Sequence, residues 1–238
     1  MGNPKHPYSP FDTFIADIRA RNVARWSEVQ AEFLRVVESF DTEYRAGNRD
    51  SGWYQAKARY FNDVIVTLLE NLSGKPIATR KKKNSQLFGE LDVDICFPDK
   101  DAPQIAGEVK ALGTPPHPNN KNRARNGSSD LHKRVREVAL TSIDLKVAYS
   151  GPQPIQSFQH WIDSTPPGYF SFWAIRANNE SDFERVRSLL SSLRSYCNGV
   201  GAFIYSPDSS RSETSYEARR VLELDIDRSI REMAQRIS

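Results

Sequence analysis

Two short runs of alternating polarity, separated by a proline-rich turn, constrain this chain more than any other feature. Leu91, Val93, Ile95 and Phe97 alternate with Asp92, Asp94 and Cys96, the pattern of a strand with one apolar and one polar face. Ile105, Gly107, Val109 and Ala111 alternate with Ala106, Glu108, Lys110 and Leu112, so Glu108 and Lys110 project together from a second strand. Between the runs, Pro98-Asp99-Lys100-Asp101-Ala102-Pro103 reads as a turn. A hairpin centred near Lys100 sets Asp92 opposite the segment from Glu108 to Lys110, with Asp94 one pleat nearer the turn. Asp99 falls at the tip, roughly 25 Å of strand from Glu108 at about 3.3 Å per residue. The order of preference for a carboxylate beside Glu108 is Asp92, then Asp94, then Asp99.

These residue types suit phosphodiester hydrolysis. That reaction calls for a hard divalent cation, and such cations choose carboxylate and carbonyl oxygens. Asp92 and Glu108 supply the carboxylates, and the Val109 carbonyl, between the Glu108 and Lys110 side chains, is a further candidate ligand. Lys110 can position or deprotonate a water and offset charge building on the phosphorane. The competing reading is the charged outer face of an edge hairpin, where Glu-x-Lys pairs are ordinary.

Gly89-Glu90-Leu91-Asp92 followed by Gly107-Glu108-Val109-Lys110 resembles the PD-(D/E)xK, or restriction-endonuclease-like, superfamily. The match carries over Asp92, Glu108 and Lys110. The resemblance implies an α/β fold with a central mixed β-sheet that bears the catalytic hairpin and is flanked by helices, a Mg2+ cofactor, and hydrolysis of DNA. Many members also place an acidic residue on the helix before the hairpin, often directly after an aromatic. The corresponding helix here is expected over 54–72, and the matching position is Asn62, after Phe61. Ala58, Phe61, Ile65, Leu68, Leu69 and Leu72 form its apolar face. Asn62 falls on the edge of that face, roughly 60° from Ile65, while Asp63 and Glu70 point away. Asn is a weaker metal ligand than Glu, which leaves a one-metal mechanism open and a second metal in question.

The flanks of the hairpin are basic. Arg80, Lys81, Lys82 and Lys83 precede it, and Lys121, Arg123, Arg125 and Asn126 follow it, with Lys133 beyond. From Lys75 to Arg136 there are 13 Lys/Arg against 7 Asp/Glu, and elsewhere 20 against 23, so the net charge of +3 conceals a polarised molecule. Two basic clusters around one acidic site suit a polyanion such as double-stranded DNA. The loop from Gly113 to Asp130 is long for a connection without secondary structure and reads as a DNA-contacting arm. Arg123, Arg125 and Asn126 are placed either to read base edges, Arg on guanine and Asn on adenine, or to touch phosphates alone.

The rest of the pattern fits one domain over 1–238, with a helical N-terminal extension over 1–50, the nuclease core over 51–205, and a C-terminal loop and helix over 206–238. Helices are expected over 11–21 and 26–45, covering the sheet or forming a dimer surface. After Asp130, a candidate N-cap, Leu131, Val135, Val138, Ser142 and Leu145 repeat at helical spacing. A buried strand over 169–177, a helix over 181–196, a strand over 200–205 and a helix over 216–237 follow, in a mixed α/β order. Phe170, Phe172 and Trp173 read as core, since no basic residues interleave them. Cys96 and Cys197 offer neither a disulfide framework nor a zinc set. There is no Gly-x-Ser-x-Gly elbow, and Ser73-Gly74-Lys75-Pro76 lacks the upstream glycine of a phosphate-binding loop. His117 and His132, beside the basic loop, fit either phosphate contact or plain surface positions. No run approaches the roughly 18 apolar residues of a membrane span, and the N-terminus lacks a charged-then-apolar leader, so a soluble cytoplasmic protein is expected.

The expectation from sequence is a Mg2+-dependent endodeoxyribonuclease, a type II restriction endonuclease by preference, working as a homodimer beside a cognate DNA methyltransferase. Two alternatives stand. One is a repair, recombination or phage-defence nuclease selective for DNA structure or modification. The other is a non-catalytic DNA-binding module on the same fold.

Overall fold

The computed structural model describes residues 8–47, 51–84, 90–99, 102–118, 121, 123–150, 167–208, 210–211 and 214–237. Three helices come first: α1 (Ser9–Ala20), α2 (Trp26–Arg45) and α3 (Ser51–Ser73). Strands β1 (Ala78–Asn84), β2 (Glu90–Phe97) and β3 (Ile105–Leu112) follow, then α4 (Leu131–Ser150) and β4 (Gly168–Arg176). The C-terminal part holds α5 (Glu180–Ser192), β5 (Gly199–Pro207), β6 (Tyr216–Arg219) and α6 (Ile226–Ala234). The six strands form one open sheet in chain order. β1, β2 and β3 are successively antiparallel, β3, β4 and β5 are parallel, and β6 is antiparallel to β5. The expected mixed α/β sheet with flanking helices is present.

Two elements differ from expectation. The basic run at Arg80–Lys83, given no element from sequence, is an edge strand, β1, with Lys82 across from Asp92; a row of lysines is a common guard on an exposed edge. The segment expected as one helix over 216–237 divides into β6, a short turn and α6. Tyr216 is buried while Glu217 and Ala218 are exposed, so the segment closes the β5 edge before the chain becomes helical.

Both faces of the sheet are covered. On one, Ile95, Val109, Phe170, Phe172 and Phe203 share a core with α1, α2, α3 and α6. On the other, Val93, Cys96, Ala106, Tyr169, Trp173 and Ile204 pack with α4 and α5. β4, sandwiched between, is buried at every position, which is where parallel strands belong. Phe170, Phe172 and Trp173 are core, as expected. The N-terminal helices cover the sheet: Trp26 and Phe33 lie 5.1 Å and 5.7 Å from Phe203, centroid to centroid. Arg25 gives α2 no side-chain cap; the Asp227 carboxylate of α6 takes the amides of Trp26 and Ser27 instead. On α3, Leu72 is exposed and Ala58 only half-buried, while Tyr60, Val64 and Lys57 are buried, so the helix is enclosed on more sides than its apolar stripe indicates. Among the described residues no helix is long and apolar enough to cross a membrane.

The same core holds a buried polar network. Lys57 Nζ lies 3.3 Å from Asp41 Oδ1 and donates to Tyr205 Oη at 3.0 Å. Tyr216 Oη donates to Asp41 Oδ2 (2.7 Å), and Arg176 Nε donates to Tyr216 Oη (3.2 Å). Arg176 also donates to the Thr114 carbonyl and to Asn178. The network thus ties α2, α3, β4, β5 and β6 to the start of the loop after β3. Burial holds Lys57 down at about 8 against the pull of Asp41, with Arg176 adding to the depression. Lys57→Met is expected to cost about 3–5 kcal/mol by stranding a buried carboxylate. Lys57→Met combined with Asp41→Leu should cost less than the sum of the single changes, as urea unfolding of the four proteins would reveal.

Candidate metal centre

The β2–β3 hairpin carries the chemistry, and its register decides which carboxylate meets Glu108. Ile95 faces Gly107, Cys96 faces Ala106 and Phe97 faces Ile105. Gln104 belongs to the turn, its amide donating to the Phe97 carbonyl at 2.7 Å, and this moves the pairing from the expected register. Continued along the strands, the observed register sets Asp94 opposite Glu108. The regular ladder stops at Ile95. One residue on, the Asp94 side chain takes over from the backbone: its Oδ2 accepts the Val109 amide at 2.9 Å. The hairpin forks there, with a carboxylate wedged between its arms.

The other neighbour of β2 is interrupted at the same place. Thr79 pairs with Ile95 and Lys81 with Val93, but the intervening rung between Arg80 and Asp94 is missing. Arg80 has a left-handed backbone, φ 53°, which a non-glycine residue adopts only at a cost. β2 is therefore released from both neighbours at Asp94.

Asp92, preferred from sequence, is not the carboxylate that this geometry brings to Glu108. It is exposed and lies across from Lys82 of β1, while Asp94 is the half-buried carboxylate at Glu108. Asp99 sits at the tip as expected, its side chain accepting the Ala102 amide. Glu108 and Lys110 do project together, in contact through Lys110 Nζ and Glu108 Oε1. Val109 points the other way, into the core with α3, so the pair faces α4. Amide and carbonyl of one strand residue point to the same neighbouring strand. The Val109 carbonyl hence looks toward β2 and into the fork.

The Glu108 side chain is only 14 % exposed. Burial pushes it up to about 7; Lys110 pulls it down, and the charges of Asp94 and Glu137 push it up further. A buried carboxyl beside a second carboxylate is relieved by a bound cation, and two carboxylates with a backbone carbonyl form a hard-cation donor set. Asp94, Glu108 and Val109 thus fit Mg2+. Among the described residues no three His, Cys, Asp or Glu side chains converge on one point, so a cation here would complete its shell with water.

Asn62 stands apart from this group. It is 3 % exposed on α3, and neither its amide nitrogen nor its oxygen has a hydrogen-bond partner among the described residues. α3 covers the face of the sheet opposite to the one that Glu108 and Lys110 present, and no described hydrogen bond joins Asn62 to the carboxylates. Two residues undervalued in the sequence do adjoin the site: Glu137 of α4, which acts on Glu108, and Tyr169 of β4. Neither has a motif; only packing brings them there.

Arg80, Lys81, Lys121, Arg123 and Lys133 are exposed, with Arg80 3.5 Å from Asp63. The side chains of Lys82 and Lys83 lie outside the described residues. Both ends of the loop after β3 are tied down. Thr114 and Arg125 exchange backbone hydrogen bonds, and Asp182 accepts the amides of Gly127 and Ser128 at 2.9 Å each. Arg125 is ion-paired with Asp130, which stands before α4 with its carbonyl accepting the Arg134 amide at 3.0 Å and its backbone left-handed, φ 60°. Asn126 Oδ1 accepts from Asn178 at 2.6 Å. His117 is buried against Tyr44, and His132 is exposed.

No protein-family model, curated protein or solved structure matches the chain. The physical chemistry of the fork stands on its own and is testable. A carboxyl raised in the fold contributes stability fully below its ordinary value and loses it as pH rises through the folded value, here about 7. Glu108→Gln should therefore unfold at higher temperature than the parent at pH 8, by an amount of roughly 3 kcal/mol, and show little gain at pH 5. Thermal unfolding at both values checks it.

Proposed function

We propose that this protein is a Mg2+-dependent endodeoxyribonuclease of the PD-(D/E)xK type, acting on double-stranded DNA as a site-specific type II restriction endonuclease. The observation that carries the reading is the fork, where Asp94, Glu108, the Val109 carbonyl and Lys110 converge at the point where β2 leaves β3. The mixed sheet with helices on both faces is consistent with that superfamily.

Asp94, Glu108 and the Val109 carbonyl would hold the ion. A bound Mg2+ supplies a water of lowered pKa and neutralises charge on the scissile phosphate. Lys110, at the margin of the pair and 24 % exposed, is placed to orient the attacking water and to meet charge that develops on the phosphorane. Asp94 has a second task in the protein itself: it satisfies the Val109 amide and so keeps the fork open. The exposed cations of β1, of the loop and of Lys133 on α4 offer phosphate contacts around the carboxylates. Action as a homodimer, a cytoplasmic setting and a partner methyltransferase belong to this reading by resemblance.

The tethered loop favours a second reading. With Arg125 held by Asp130 and Asn126 by Asn178, side chains suited to reading bases are already engaged within the protein. A nuclease selective for DNA structure or modification needs no such readout.

Unmodified plasmid and phage DNA, incubated with Mg2+ or with EDTA, separate these readings. Discrete fragments that require Mg2+ are expected. Asp94→Asn and Lys110→Ala should each lower the rate by roughly 100-fold or more, while Asp92→Asn stays within a few-fold of the parent. Smeared or nicked products would favour the second reading. Salt-sensitive binding with no cleavage of any DNA would leave a DNA-binding module.

A further inference from the structure

Tyr169 lies under the carboxylate pair with its hydroxyl unspent. It is fully buried in β4 and faces Ala106 of β3, the residue two before Glu108 on the same face of the sheet. Diagonal neighbours of this kind have Cβ atoms about 7–8 Å apart, within reach of an aromatic side chain. Ala106 is small enough to leave the ring room. A buried phenol almost always finds a hydrogen-bond partner, yet the Tyr169 oxygen has none among the described residues. The nearby Thr141 hydroxyl donates to the Glu137 carbonyl at 2.9 Å and is near enough to the phenol to bear on its ionisation. Ionisation of the phenol is pushed well above its ordinary range, by burial first and then by the charges of Glu108, Cys197 and Asp94, with Thr141 pulling weakly the other way. The group therefore remains a donor.

Glu108 spends an oxygen on Lys110. A divalent cation competes for that oxygen and turns the carboxylate from the ammonium. We propose that Tyr169 is a positioning residue, whose O–H donates to Glu108 when that carboxylate turns toward a bound divalent cation and fixes its orientation. The proposal rests on the reading of the hairpin as a metal centre. It assigns the phenol the role that outer hydrogen-bond partners have in metal sites, where their loss typically costs about 10–100-fold in affinity.

Titration with Mn2+, followed by calorimetry and by thermal unfolding at fixed pH, tests it on the parent, Glu108→Gln and Tyr169→Phe. Tyr169→Phe is expected to keep its metal-free stability, since the oxygen it loses has no partner, while its Mn2+ affinity falls about 10–100-fold. Parent-like affinity in Tyr169→Phe would overturn the proposal and leave the metal centre standing. Binding of Mn2+ that Glu108→Gln does not weaken, or no binding by the parent, would instead remove the metal centre and the proposal with it. Should Tyr169→Phe fail to fold, 3-fluorotyrosine placed at 169 alone makes the phenol a stronger donor. Tighter Mn2+ binding then supports the assignment, and unchanged binding refutes it.

Discussion

A strand amide inside a sheet must have an acceptor, and the Val109 amide has an unusual one. Where the β2–β3 ladder would continue, the Asp94 carboxylate replaces the backbone carbonyl. Leaving a buried amide unpaired costs about as much as a lost hydrogen bond, so the side chain cannot be removed without disturbing the strands. That single substitution of side chain for backbone forks the hairpin, aims one carboxylate at another, and turns the Val109 carbonyl into the gap. The left-handed Arg80 serves the same end from the other side, by breaking the rung that would bind β2 to β1 at Asp94. Strain of this kind persists only where the surrounding structure over-determines it.

The fork needs a rigid platform, and the two cores provide it. β3 and β4 are in register from Ile105 to Leu112, so Glu108 and Lys110 ride on a strand clamped against the most buried element of the fold. Opposite faces of that strand have opposite tasks. Val109 anchors it in the core shared with α3, and Glu108 emerges toward α4, where burial raises its carboxyl. Carrying an ionisable group there is costly unless a positive charge stands beside it.

A second buried charge centre lies at the C-terminal ends of β4 and β5. Lys57, Asp41 and Arg176, linked by Tyr205 and Tyr216, join the N-terminal helices to the last strand and to the root of the basic loop. With Asp182 at the far end of that loop, the segment after β3 is pinned at both ends.

The residues themselves determined a good deal. Alternation at Leu91–Phe97 and Ile105–Leu112 gave both hairpin strands, and the helical spacing of Leu131, Val135, Val138, Ser142 and Leu145 gave α4 and its buried face. Glu108 and Lys110 on one side of one strand follow from a period of two and nothing else. Three things were decided only by tertiary structure. The choice of Asp94 over Asp92 depended on Gln104 joining the turn, a shift of register that leaves the local pattern unchanged. The basic run of β1 has no apolar alternation and becomes a strand because β2 offers it an edge. The Lys57 network, the Asp227 cap on α2 and the place of Tyr169 beneath Glu108 join residues distant in the chain. Periodicity reports which way a side chain faces; what it meets depends on how separate elements pack, and that is a property of the folded whole.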